Sequence, residues 1–99
     1  MTSSNFKSVT FLGQQCNVEF GKYSNGRVAI GLVISSTGEP MTVASINFPF
    51  VEMANDEVAI KNYSENEGIL ELLIAANIIS TPIRFTQSGF IQSPICKII

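Results

Sequence analysis

The segment at residues 57–80, Glu57 followed by VAIKNYSENEGILELLIAANIIS, constrains the fold most, because it carries the one helical period in a chain otherwise written in strand code. Ile69, Leu72, Leu73 and Ala76 fall on one stripe at helical spacing, widened by Leu70 and Ile74. Ser64 followed three residues later by Glu67 has the form of a capping box, so the pattern predicts a helix over residues 64–76. Glu65 and Glu67 sit where a helix dipole favours negative charge, and Asn77 is placed to cap the C-terminal end. Gly68 costs about 1 kcal/mol relative to alanine inside a helix and is expected to serve close packing against a sheet. A lone amphipathic helix must bury its stripe on something, and the rest of the chain offers strands.

Residues 6–12 (FKSVTFL) and 16–22 (CNVEFGK) read as a hairpin linked by Gly13-Gln14-Gln15, with Cys16, Val18 and Phe20 alternating against polar neighbours. Asn25-Gly26 between alternating segments is a strong hairpin signal, since both residues tolerate positive φ. Residues 27–35 (RVAIGLVIS) place Val28, Ile30, Leu32 and Ile34 on one face and small or apolar groups on the other. That pattern predicts a central strand covered on both sides, with Gly31 at a bulge or a close approach. Residues 41–47 return as a fourth strand that Pro49 ends or confines to an edge, and residues 58–61 form a short fifth. Ile83 and Phe85 alternate with Arg84 and Thr86, and Pro94 interrupts the run before an apolar tail. The expected architecture is α+β: a single mainly antiparallel sheet of five to seven strands with the helix packed on one face.

Ninety-nine residues make one domain, 1–99, and 45% hydrophobic residues with a net charge of −2 describe a folded chain. Only 14% of residues are charged, which leaves apolar surface for a protein partner or a second copy to cover. Lys7, Lys22, Arg27, Lys61, Arg84 and Lys97 are scattered, so no basic stripe for a nucleic-acid backbone is present. No basic start followed by an apolar run opens the chain, and residues 69–79 are too short to span a bilayer, so a cytoplasmic protein is expected. Cys16 and Cys96 in strand-like apolar context read as buried thiols rather than a disulfide.

The chain contains no histidine, which removes Ser-His and Cys-His nucleophile activation and the commonest zinc ligand together. Neither glycine-rich phosphate motif occurs. Asn55-Asp56-Glu57 lacks the alternate spacing of a calcium loop and reads as solvated connection. No spacing selects a catalytic pair among Glu19, Glu39, Glu52 and Glu71, so catalytic residues, cofactor and metal are all expected to be none. Phe6, Phe11, Phe20, Phe48, Phe50, Phe85 and Phe90 read as mostly core. Recognition then falls to loop polar groups: Asn25, Arg27, Glu39, Lys61, Asn62, Glu65 and Asn66, of which Lys61, Asn62, Glu65 and Asn66 flank the capping box without being needed by it.

The strings KYSNGRVAI, TGEPMTVASINFP and IKNYSENEGILELLIAANII resemble a family of short proteins carried by bacterial phages and other mobile elements, over residues 18–90. The resemblance implies an accessory protein of a mobile element, a class that includes inhibitors of bacterial defence systems, and brings no catalytic residue. The leading expectation is a non-enzymatic protein that acts by binding another protein. The alternative is a binder of a small nucleotide-like ligand through Arg27 and the polar groups around Asn62; an enzyme working with carboxylates alone ranks last.

Overall fold

The computed structural model describes residues 7–99. Strands β1 (Lys7–Phe11), β2 (Gln14–Lys22), β3 (Val28–Ile34) and β4 (Pro40–Val43) form one antiparallel sheet in the order β1-β2-β3-β4. A second antiparallel sheet contains β5 (Ser45–Ile46), β6 (Glu57–Ile60), β7 (Arg84–Ser88) and β8 (Ile91–Lys97) in the order β5-β6-β8-β7. The α+β class and the antiparallel pairing match expectation, but the single sheet of five to seven strands is replaced by two sheets of four. Phe6, the expected first residue of the opening strand, lies outside the described residues.

Ala44 is the reason for two sheets. The expected fourth strand, residues 41–47, divides there: the Ala44 N–H donates to the Ile30 carbonyl in the first sheet (2.8 Å), and its carbonyl accepts from Lys61 N–H at the end of β6 (2.8 Å). A fully buried alanine is small enough for the chain to pivot without displacing core side chains. One stretch, residues 40–46, therefore edges both sheets.

Turn geometry moves the first hairpin. Leu12 (φ 52°) and Gly13 (φ 80°) make a two-residue turn with both residues left-handed, and Gln14 and Gln15 pair with Phe11 and Thr10 in the ladder. The right-handed twist of the strands favours this mirror-image turn over the longer Gly13-Gln14-Gln15 link. The second hairpin closes through Gly26 N–H to the Tyr23 carbonyl and Tyr23 N–H to the Arg27 carbonyl (both 2.8 Å), and of the Asn25-Gly26 pair Gly26 alone takes positive φ.

The helix is shorter than expected and starts differently. Ser64–Asn66 is a separate 3-10 turn, and α1 runs Ile69–Ala75 behind Gly68, whose φ of 92° breaks the continuity. Neither N-cap residue, Tyr63 or Gly68, makes a side-chain capping bond, and the Ser64–Glu67 box is absent; the Asn62 Oδ1 accepts from Leu70 N–H instead (3.0 Å). Nothing lies within 4 Å of where a Gly68 β-carbon would sit, so conformation and not close packing requires glycine there. Asn77 (φ 60°) does end the helix: Ile78 N–H reaches the Leu73 carbonyl and Asn77 N–H the Ile74 carbonyl, the paired bonds of a Schellman motif.

The core joins one face of each sheet to the helix stripe: Val9, Phe11, Cys16, Val18, Ile30 and Leu32 from the first sheet, Val58, Ile60 and Cys96 from the second, and Ile69 and Leu73 from α1. Both cysteines are buried, free thiols in that cluster. Branched aliphatics rather than phenylalanines fill it. Phe11 is buried, but Phe20, Phe50, Phe85 and Phe90 are exposed, against expectation. The outer face of β3 is also not covered: Ala29, Gly31 and Val33 are half-buried, and Val43 beside Gly31 is 55% exposed. A β-carbon on Gly31 would make only ordinary contact, 3.9 Å from the Thr42 carbonyl, and the bulge falls one step later, between Leu32 and Val33.

Pro94 lies inside β8, between β6 and β7, where a proline is usually excluded. The ladder to β6 ends at Ala59–Ile95, so the N–H that proline lacks falls beyond its last pair. The strand runs through the expected interruption.

Candidate functional site

Because residues 40–46 edge both sheets, one side of that stretch faces no strand, and a groove of about 550 Å³ opens along it. Met41, Thr42, Val43, Ser45, Ile46 and Asn47 form one wall, Tyr23 comes from just after β2, Lys61 and Tyr63 come from the link between β6 and the 3-10 turn, and Glu65 comes from that turn. The volume lies in the range of ligand and side-chain pockets. The groove is shallow and open to solvent.

Local bonds hold each wall. The Tyr23 hydroxyl shares a hydrogen bond with Ser45 Oγ (2.8 Å), which also accepts from Ile30 N–H (2.9 Å), so the tyrosine is anchored to the crossover. Asn25 Oδ1 accepts from Arg27 N–H (3.2 Å) and its Nδ2 donates to Asn47 Oδ1 (3.3 Å), tying the hairpin turn to the groove's far end. Lys61 Nζ donates to Glu65 Oε2 at 2.6 Å and lies 5.6 Å from the centre of the Tyr63 ring. The Lys61 bond, backed by the backbone N–H of Glu65 itself, holds the Glu65 carboxyl down to about 2, and the same bond raises the Lys61 ammonium. The rim is thus a closed ion pair above an aromatic and aliphatic floor.

The residues expected to recognise a partner separate into two groups. Lys61 and Glu65 line the groove, and Asn25 adjoins it through Asn47. Asn66 is fully buried: its Nδ2 donates to the Val43 carbonyl (2.7 Å) and its Oδ1 accepts from Thr42 Oγ (2.6 Å), so a side-chain amide takes the place of a further strand along β4. Asn62 caps α1. Arg27 donates through Nη1 to the Phe48 carbonyl (2.6 Å) and through Nη2 to the Val51 carbonyl, fixing the loop after β5. Glu39 is exposed on the turn before β4 and does not line the groove. Of the four residues that flank the expected capping box, Lys61 and Glu65 line the groove, whereas Asn62 and Asn66 are bonded into the fold.

Tyr23 and Tyr63, the chain's two tyrosines, were not among the expected recognition residues, nor were Met41, Val43, Ile46 and Asn47. A signal existed. Each tyrosine sits beside a polar turn, in Y-S-N-G and N-Y-S-E, where an aromatic with a polar tip suits a half-wet surface better than a core.

Two further carboxylates, Glu57 and Asp56, are committed to structure. Buried Glu57 receives Arg84 Nη2 at 2.8 Å and Nη1 at 3.2 Å and the Ala54 N–H at 3.0 Å, and these bonds, Arg84 first, hold its carboxyl down to about 2. Arg84 Nη2 also reaches the Glu52 carbonyl (2.9 Å), so the loop at residues 48–57 is pinned by one arginine from each sheet. Asp56 pairs with Lys97 at 3.7 Å. Among the described residues no three histidine, cysteine, aspartate or glutamate side chains cluster, and no helix is long and apolar enough to cross a membrane. Set against protein-family models, curated proteins and solved structures, the chain matches none.

Proposed function

We propose that this chain is a non-enzymatic accessory protein of a phage or mobile element that acts by binding another protein in the groove beside residues 40–46. The observation that carries the reading is the make-up of the groove: two half-buried tyrosines, Met41, Val43 and Ile46 around a rim whose one cation among the described residues, Lys61, is already paired with Glu65. Aromatic and aliphatic centres ringed by polar groups are the anatomy of protein hot spots. An anionic small ligand would have to break the 2.6 Å pair to find a positive charge, and Arg27 and Asn62, the residues offered for such a ligand, are bonded elsewhere. Inhibition of a bacterial defence protein is one action that such binding would perform.

Quantitative capture from a bacterial lysate tests this, with the unaltered chain, Tyr63→Ala and Val43→Asp as baits. A partner enriched on the unaltered chain and lost from both variants, with their folds intact by circular dichroism, supports the reading. Equal capture by all three baits overturns the groove as the site. A nucleotide that raises the melting temperature of the unaltered chain but not of Lys61→Ala overturns it in favour of a small ligand.

A further inference from the structure

The four sheet edges are not equivalent. The β4 edge is bonded by the Asn66 amide, β5 is two residues long, and α1 packs against β1. Among the described residues none of these protections falls on β7, and the five residues Arg84–Ser88 include no proline, lysine or carboxylate to repel a neighbour, their one charge, Arg84, being paired with Glu57. Beside it stand Ile83 and Phe85, 44% and 55% exposed, and Phe90 and Ile91 at the tip of the same hairpin.

The direction of the edge's backbone groups follows from the bonds around β8. Ile95 accepts from Ile83 N–H, and Lys97 exchanges bonds with Ser80, so the odd-numbered residues of β8 face the β7 side; Ile98 N–H turns the other way, to the Asp56 carbonyl. Their ladder partners Arg84, Thr86 and Ser88 face inward, and Phe85 and Gln87 direct their N–H and C=O groups out of the sheet.

We propose that this edge binds a second copy of the chain, β7 against β7, antiparallel about a two-fold axis at Thr86. Among the two-fold registers, that one pairs both outward residues of the strand within the strand itself: Phe85 of one copy stands opposite Gln87 of the other and exchanges both backbone bonds, at each end of the axis. Arg84, held by Glu57 of its own chain, faces uncharged Ser88, so no like charges are opposed. The Phe85 rings become diagonal neighbours on one face, about 7–8 Å apart, within reach of aromatic contact. The second sheet then continues across the dimer, and the groove, at the opposite end of the strand order β5-β6-β8-β7, stays free in both copies.

Sedimentation equilibrium on the full chain, with Phe85→Lys, Gln87→Pro and Thr86→Cys, tests the pairing. The unaltered chain is expected at twice its 10.8 kDa mass at high micromolar concentration. Phe85→Lys and Gln87→Pro should each weaken association at least tenfold; should Gln87→Pro fail to fold, the exposed Phe85 site still accepts lysine. Thr86→Cys should cross-link into a covalent dimer on mild oxidation, because facing residues of a non-hydrogen-bonded pair lie about 4.5 Å apart at Cα, within disulfide range. A dimer that survives Phe85→Lys, or a Thr86→Cys chain that stays uncross-linked, overturns the register. A chain monomeric at millimolar concentration overturns the second copy as occupant and leaves the edge to a strand of another protein.

Discussion

Asn66→Ala is the substitution that separates the structural half of the helix entrance from its surface half. Asn66 has no exposed surface, and truncation removes two short bonds, to the Val43 carbonyl at 2.7 Å and from the Thr42 hydroxyl at 2.6 Å. At about 1 kcal/mol net for each bond the loss is about 2 kcal/mol, with the small void left by the amide adding to it. For a domain of this size that lowers the melting temperature by about 8–16 °C. Urea denaturation followed by circular dichroism should show the midpoint falling at constant slope. Thr42→Val combined with Asn66→Ala should cost about 1 kcal/mol less than the sum of the single changes, because both remove the same bond. Glu65→Ala, one residue away on the surface, should leave the midpoint in place. An Asn66→Ala cost under about 0.5 kcal/mol, or a Glu65→Ala chain destabilised as much, would refute the division.

Leu12 holds a left-handed conformation (φ 52°) while 70% exposed, so Leu12→Asn should stabilise the chain by about 0.5–1 kcal/mol; a lower urea midpoint would contradict the two-residue turn. Glu57 is held at about 2 against an ordinary value near 4.5, a depressed carboxyl whose stabilisation is present above pH 4.5 and lost as the pH falls through 2. The melting-temperature gap between the unaltered chain and Glu57→Gln should therefore be constant above pH 5 and close between pH 4.5 and 2; a gap that persists at pH 2 would be inconsistent with the ion pair as its source. Burial pushes the Cys96 thiol up to about 11 and raises Cys16 as well, so neither should react with an aromatic disulfide reagent at pH 8 until guanidinium is added. Rapid labelling of either in the native chain would contradict its place in the core.

Elements whose signals are local were legible in the sequence. The alternation of Cys16 and Val18, the Asn-Gly turn, the helix stripe with Ile69 and Leu73 inward, and the Asn77 cap depend on neighbours within a few residues. The sheet count depended on something longer in range. Residues 41–47 read as one strand, and only the simultaneous bonds of Ala44 to Ile30 and to Lys61 show that it serves two sheets. Ser64 and Glu67 satisfied a local rule that lost to Gly68, whose positive φ restarts the helix later, and to Asn62, which caps it from outside the expected box. The candidate site was half visible for the same reason. Lys61 and Glu65 were accessible to reasoning from loop position, whereas Tyr23, Val43 and Asn47 reach the groove only because the pivot at Ala44 brings two distant turns to one edge.

The central claim is that residues 40–46, by edging both sheets, create the surface through which this chain binds a protein. Amide chemical-shift mapping of the labelled chain, titrated with the most enriched captured partner, tests it most directly. The account predicts shifts concentrated at Tyr23, Val43, Ser45–Ile46, Asn47, Lys61, Tyr63 and Glu65. Shifts centred instead on the Leu12–Gly13 turn or on Thr37–Glu39, with the groove residues unmoved, would contradict it.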